Sequence, residues 1–115
     1  MRALSIQVQP GRSSGLDTDR LSMVFAEIAA MTDLVQHHQF DRGHDQVPYV
    51  NFTFGTTRAG DLWRVIRARV YEDGALGPHM RVASMAMCSS EAGWASYLLL
   101  YHFDPTVTLD PATSL

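Results

Sequence analysis

Five side chains that are able to hold a metal ion lie close together in the middle of the chain. They are His37, His38, Asp41, His44 and Asp45. Imidazole nitrogens and carboxylate oxygens are ligands that Zn²⁺ and similar ions prefer. The segment joins a predicted helix end to a turn at Gly43, so no two of these ligands are expected to be held rigidly together. We therefore expect exposed histidines and no bound metal. An alternative hypothesis, a small enzyme or metal-binding protein, has His37, Asp41 and His44 as its candidate ligands.

Cys88 is the only cysteine in the chain. It would be a candidate nucleophile if His79 or His102 lay beside it across a sheet, because an imidazole promotes formation of the thiolate. Its neighbours Ala86 and Met87 are apolar, which favours a buried and unreactive thiol. The sequence contains no glycine-rich phosphate loop and no carboxylate pair in an apolar setting. We predict no catalytic residue and no cofactor.

The charge of the chain excludes some classes of partner. The formal net charge is −3, and all nine basic residues are arginine. The only concentration of positive charge is a group of four arginines, Arg64, Arg67, Arg69 and Arg81. Nucleic-acid binding depends on clustered positive charge, so an acidic chain argues against it.

No run of apolar residues in the sequence approaches the roughly 18 of a membrane span. The N-terminus alternates polar with apolar residues and does not resemble a signal peptide. A soluble, cytoplasmic protein is therefore expected, with no membrane partner.

Hydrophobic periodicity predicts an α+β domain. Apolar residues at three- and four-residue spacing predict one long helix over residues 19–38. Alternation, or short apolar runs between turn residues, predicts strands over 3–9, 49–54, 62–71, 80–89 and 94–103. The order β-α-β-β-β-β indicates a mostly antiparallel sheet of about five strands with the helix packed on one face. We assign residues 1–104 to this single domain and 105–115 to a flexible C-terminal tail.

The segment 90–102 is compatible with two structures. Trp94, Tyr97, Leu98 and Tyr101 have helical spacing, and Ser90 would cap such a helix. Gly93 would weaken a helix near its start, however, and the segment is short and aromatic, which favours a strand. We adopt the strand, with Glu91-Ala92-Gly93 as the hairpin turn.

The last two predicted strands are apolar on both sides. A single helix covers only one side of a sheet, so the other side would expose methionine and aromatic side chains to water. We predict that these residues form an interface for a protein partner, most simply a second copy of the chain. A second layer built from the first strand, residues 10–16 and the tail would hide them instead. The predicted interface residues are Met85, Met87, Tyr97, Leu99, Tyr101 and Phe103. The expected function is that of a small non-catalytic binding or assembly module.

Overall fold

A single antiparallel sheet of five strands organises the molecule. The computed structural model describes all of residues 1–115. Each strand is antiparallel to its neighbours, in the spatial order β2-β3-β1-β4-β5. This confirms the α+β class and the antiparallel sheet. The strands are β1 (Arg2–Val8), β2 (His37–Asp45), β3 (Val47–Thr56), β4 (Ser84–Ser90) and β5 (Gly93–Tyr101).

Three short helices pack on one face of the sheet. They are α1 (Thr18–Ala29), α2 (Ala59–Ile66) and α3 (Gly77–Ala83), and a π-helical turn (Arg67–Tyr71) follows α2. All of their buried side chains except that of Ala83 belong to one core cluster, which also contains alternate residues of β1, β3 and β4. The other face carries no helix. The prediction of one long helix is therefore wrong, and no helix of the molecule combines the length and the apolar character that crossing a membrane requires.

The side chains of β1 show how the covered face of the sheet differs from the open face. Leu4, Ile6 and Val8 are at most 1 % exposed and point toward the helices, whereas Ser5 and Gln7 point to the open face. This alternation is the one that the sequence predicted, because successive side chains of a strand lie on opposite faces. β1 is the central strand, and its side chains therefore meet neighbours on both sides.

Helix α1 begins where the sequence predicted and ends much earlier. The carboxylate of Asp17 accepts a hydrogen bond from the Arg20 backbone N–H at 2.9 Å, which caps the first turn. The helix ends at Ala29, not at His38. Leu34 and Val35, whose backbone N–H groups both donate to the Met31 carbonyl, are buried without being helical. Because Met31 and Val35 continue the apolar spacing of α1, the predicted helix extended nine residues too far.

The predicted strand over 62–71 is wrong, because the segment is helical. The side chains that α2 buries are Ala59, Leu62, Trp63 and Ile66, which recur at helical spacing. The π-helical turn then adds an extra residue to the next turn, closed by the Glu72 N–H donating to the Arg67 carbonyl at 2.8 Å. This wider turn places Val70 and Tyr71 in succession inside the core.

The predicted strand over 80–89 is divided between two elements. Residues 77–83 form α3, and the chain becomes extended only at Ser84. The turn before α3 is held by Asp73, whose carboxylate accepts hydrogen bonds from the backbone N–H groups of Ala75 and Leu76. The bond from Leu76 is the main reason that the pKa of Asp73 lies below its ordinary value. Gly77 then packs directly against the Tyr71 carbonyl.

The succession βαββαβ with this strand order is the split βαβ, or ferredoxin-like, arrangement, and β5 adds a fifth strand beside β4. The β4–β5 hairpin turns at Gly93, whose φ is +87°, as the sequence predicted. Segment 90–102 is thus mainly strand and not helix. Because this arrangement hosts many unrelated activities, it does not itself indicate a function.

The C-terminal segment predicted to be flexible makes defined contacts. Asp110 pairs with the outer edge of β5, since its backbone N–H donates to the Leu99 carbonyl and its carboxylate accepts from the Leu99 N–H, both at 2.8 Å. The Arg12 guanidinium lies 3.7 Å from the centre of the Phe103 ring. Leu115 packs against the rim of the core. The segment thus follows the edge of β5 and does not form a layer over the open face.

Candidate protein interface

The open face of the sheet is divided into an apolar half and a polar half. The apolar half lies on β4 and β5, where Met85, Met87 and Leu99 are half-buried and Tyr97 is 49 % exposed. Met87 stands between Ser5 of β1 and Leu99 of β5 in the register. Four of the six predicted interface residues therefore lie together on the uncovered face. We call this group, Met85, Met87, Tyr97 and Leu99, the apolar patch.

The polar half lies on β1, β3 and β2. The hydroxyls of Ser5 and Thr53, which face each other across the β1–β3 ladder, are hydrogen-bonded at 2.9 Å. Farther out, the Gln39 amide donates to the Asp41 carboxylate at 3.2 Å. Apart from carboxylates and the His37 imidazole at the β2 margin, the half is lined by amides, hydroxyls, small residues and the Tyr49 ring. Such a surface can be buried against another polar surface, provided that its polar groups keep hydrogen-bond partners.

The other two predicted interface residues lie elsewhere. Ala86 pairs with Tyr101 and Met87 pairs with Leu99, so β5 contains one extra residue, Leu100, between these pairs. This bulge turns Tyr101 to the helix side, where its hydroxyl donates to the Arg81 carbonyl at 2.5 Å and its ring lies near Tyr71. Partial burial raises the pKa of Tyr101. Phe103 follows the strand and is held under Arg12, so it anchors the C-terminal segment.

The larger cavities of the molecule do not coincide with the apolar patch. One of about 370 Å³ lies at an end of the sheet, lined by Arg2, Thr57 and Glu91 among others. A second, of about 440 Å³, lies between Asp33, Arg58 and Arg64, and a third, of about 360 Å³, lies under the C-terminal segment. None of them is lined by a residue of the patch. A flat apolar surface without a cavity suits a macromolecular partner better than a small molecule.

The histidine-rich segment is an edge strand, not a loop. β2 pairs with β3 along its whole length, and the chain reverses at Gln46 (φ +62°) and not at Gly43. His37 and Asp41 project to the open face about 13 Å apart along the strand, whereas His44 projects to the other face. No three His, Cys, Asp or Glu side chains of the chain come together as a metal site. His37, His38 and His44 are exposed, as predicted.

The histidines considered as partners of Cys88 bind other groups. Nδ1 of His79 is hydrogen-bonded to the Ser13 hydroxyl at 2.7 Å, which ties the loop before α1 to α3. No carboxylate is bonded to this histidine, so the pair lacks the third group that orients a catalytic base. Nδ1 of His102 accepts a hydrogen bond from the Asp104 backbone N–H.

We predict that Cys88 reacts slowly with thiol reagents in the folded protein. Its side chain is 0 % exposed among the helix-side residues of β4, and burial raises the pKa of the thiol, although the nearby Arg2 acts in the opposite direction. A thiol-labelling time course at neutral pH is expected to be slow before addition of denaturant and fast after it. Equal rates in the two conditions would show that the thiol is accessible.

The four arginines that form the only concentration of positive charge in the sequence lie on the helical layer. Arg69 is paired with Glu27 at 2.7 Å and Arg64 with Asp61 at 3.1 Å. Arg81 donates to the Tyr71 carbonyl at 2.9 Å, and Arg67 is exposed beside Trp63. Two of the four arginines are therefore paired with carboxylates, and a third is bonded to a backbone carbonyl.

Comparison with protein-family models, with curated proteins and with solved structures finds no match. The assignment of a function therefore depends on the geometry of the chain itself.

Proposed function

We propose that this protein is a non-catalytic assembly module that forms a homodimer through the open face of its sheet. The observation that carries the proposal is the apolar patch, which no helix and no part of the C-terminal segment covers. Methionine and aromatic side chains are enriched at protein interfaces, and the flexible methionine thioether adapts to the shape of a partner. A second copy supplies the same apolar surface in return.

The size of the face is sufficient for a dimer. Five strands spaced about 4.8 Å apart, each about 23 Å long, give a face of roughly 550 Å². Two such faces in contact would bury about 1,100 Å², a size typical of weak or transient complexes. This area supports a dimer of modest affinity, in which the two sheets lie about 10 Å apart.

The distribution of charge also suits a second copy. Residues of the apolar patch are uncharged, and so are their neighbours Ser5 and Gln7 on β1. Asp41 and Asp45 lie at the far margin of the face, on the edge strand β2. Pairing of two patches therefore brings no like charges together at the centre of the interface, where they would cost the most.

We expect the purified protein to be dimeric by gel filtration coupled to light scattering, with a monomer fraction that grows on dilution. Tyr97→Arg and Leu99→Arg are each expected to give a folded monomer, because either substitution buries an unpaired charge in the interface. Circular dichroism reports whether each variant is folded. Tyr97 is half-exposed, so its substitution is the milder test of the two.

The matched control is Val82→Arg, which places the same charge on another half-exposed apolar side chain, in α3 on the helical layer. This variant is expected to stay dimeric. A wild-type protein that is monomeric at every concentration would contradict the proposal, and so would a dimer that both patch variants leave intact.

A further inference from the structure

The two edges of the sheet differ in whether the rest of the chain forms hydrogen bonds with their outer backbone groups. On β5 the outer backbone groups of Leu99 are both bonded to Asp110. On β2 no backbone hydrogen bond outside the ladder with β3 involves residues 38–45, and no side chain bonds to their backbone. The outward N–H and C=O groups of β2 therefore have no partner within the molecule. A free edge of this kind is a template for pairing with another strand.

β2 is also long and regular for a free edge. It has nine residues, its pairing with β3 shows no bulge, and it contains no proline or lysine, its charged residues being Asp41, Arg42 and Asp45. Proteins usually shorten, bend or block an exposed edge with these devices. The Tyr49 ring covers Gly43 on the open face and thereby supports the strand at its one weak residue. The edge is thus a straight ladder of donors and acceptors.

The side chains of β2 form two rows of different charge. On the helix side, His38, Phe40 and Arg42 alternate, and they pair with Phe54, Phe52 and Val50 of β3. On the open side lie Gln39, Asp41 and Asp45. An added antiparallel strand places each of its side chains opposite a β2 residue on the same face. The row containing Arg42 therefore selects acidic side chains, and the row containing Asp41 and Asp45 selects basic ones.

We propose that the free edge of β2 is a docking site for an extended peptide segment of another protein, which pairs antiparallel with β2 by β-augmentation. The segment carries acidic residues on the side that meets Arg42 and basic residues on the side that meets Asp41 and Asp45, with an apolar residue opposite Phe40. The edge site uses no residue of the apolar patch, since the patch lies on β4 and β5 and β2 is the opposite edge of the sheet.

Three synthetic nonapeptides test the inference by fluorescence anisotropy. The first, KETEKVTET, has the predicted charge pattern in antiparallel register with β2. The second, EKTKEVTKT, exchanges every lysine with a glutamate. The third, KETEKPTET, has proline in place of the valine opposite Phe40, which removes a backbone donor and disfavours strand pairing. We expect the first peptide to bind about tenfold more tightly than either of the others. The net charge of the protein is −3, so non-specific attraction would favour the second peptide, whose charge is positive.

Arg42→Glu is expected to remove most of the difference between the first two peptides. The matched control is Arg67→Glu, which changes the net charge equally at an exposed arginine of the helical layer that has no ion pair. This control is expected to keep the preference for the first peptide. Backbone amide shifts in an NMR titration are expected to concentrate on residues 37–45.

Several results would overturn the inference. These are the absence of binding by all three peptides, equal binding of the proline peptide, equal effects of the Arg42 and Arg67 substitutions, and shifts located on β5. Each is independent of the oligomeric state, so the dimer and the edge site are tested separately.

Discussion

Replacement of Phe25 by alanine is expected to lower the free energy of unfolding by about 3–5 kcal/mol, which is the usual cost of removing a fully buried aromatic ring. Phe25 is 0 % exposed and connects α1 to the sheet. Its ring stacks on Phe52 at a centroid distance of 4.3 Å and lies 5.8 Å from Phe54. Since a domain of this size is stable by only about 5–15 kcal/mol, the loss is a large part of the total. Urea denaturation followed by circular dichroism measures it.

Met23→Ala is the matched control on the same helix. The Met23 side chain is 62 % exposed, so its truncation creates no cavity, and alanine favours the helix. The change is expected to stay within about 0.5 kcal/mol. Similar losses for the Phe25 and Met23 variants would mean that α1 does not pack on the sheet as described.

Gly77→Ala is expected to destabilise the protein by about 1–3 kcal/mol, the usual cost of overpacking a filled site. A Cβ at position 77 would overlap the Tyr71 carbonyl oxygen, which is backbone and cannot rotate away. The same oxygen accepts a hydrogen bond from Arg81, and the buried Tyr71 hydroxyl is hydrogen-bonded to Ser84 at 2.7 Å. If the added Cβ moves α3 away from the π-helical turn, both of these hydrogen bonds are strained. Thermal and urea unfolding both report the change.

Alanine normally stabilises a helix relative to glycine by about 0.5–1 kcal/mol, so a net loss at Gly77 would show that the overlap outweighs this gain. Gly74→Ala is the control in the preceding turn, where a Cβ meets no atom within 4 Å and φ is not in the left-handed region. It is expected to change stability by no more than about 0.5 kcal/mol. A Gly77 variant that is as stable as the wild type would contradict the close approach of α3 to Tyr71.

The segment 62–71 shows where sequence reasoning failed on the fold. Ile66, Ala68 and Val70 alternate with Arg67 and Arg69, which is the pattern of a strand. The buried residues of α2 have helical spacing, but the π-helical turn shifts the phase of that spacing just where the alternation begins. A five-residue alternation was therefore given more weight than the longer helical period.

The prediction for the edge strand β2 was wrong for a different reason. Its side chains are mostly exposed on both faces, so the sequence HHQFDRGHD carries no alternation of apolar and polar residues. Only the long ladder with β3 makes it a strand, and pairing across a hairpin leaves no trace in the composition of one partner. Strands β1, β3 and β5 were predicted because each contains an apolar row or an aromatic run.

The interface was predicted mainly because one helix covers only one face of a sheet whose last two strands are apolar on both sides. The structure places four of the six predicted residues on the open face. The prediction assumed that side chains alternate strictly between the two faces of the sheet along β5, and the extra residue, Leu100, interrupts this alternation. Bulges of this kind depend on the pairing of two strands, so the positions of Tyr101 and Phe103 were not predictable from β5 alone.

The central position of β1 has a consequence for how the chain acquires its structure. Its partners are far away in sequence: Ser5 meets Thr53 across 48 residues, and Ala3 meets Ser89 across 86. Of the five strands β1 is synthesised first, and it has no strand partner until β3 is made and only one until β4 is made. Because such distant contacts are slow to form, we expect Leu4, Ile6 and Val8 to stay exposed in the nascent chain until these partner strands are made. Substitutions in β1 are therefore expected to reduce the yield of folded protein more than their equilibrium cost implies.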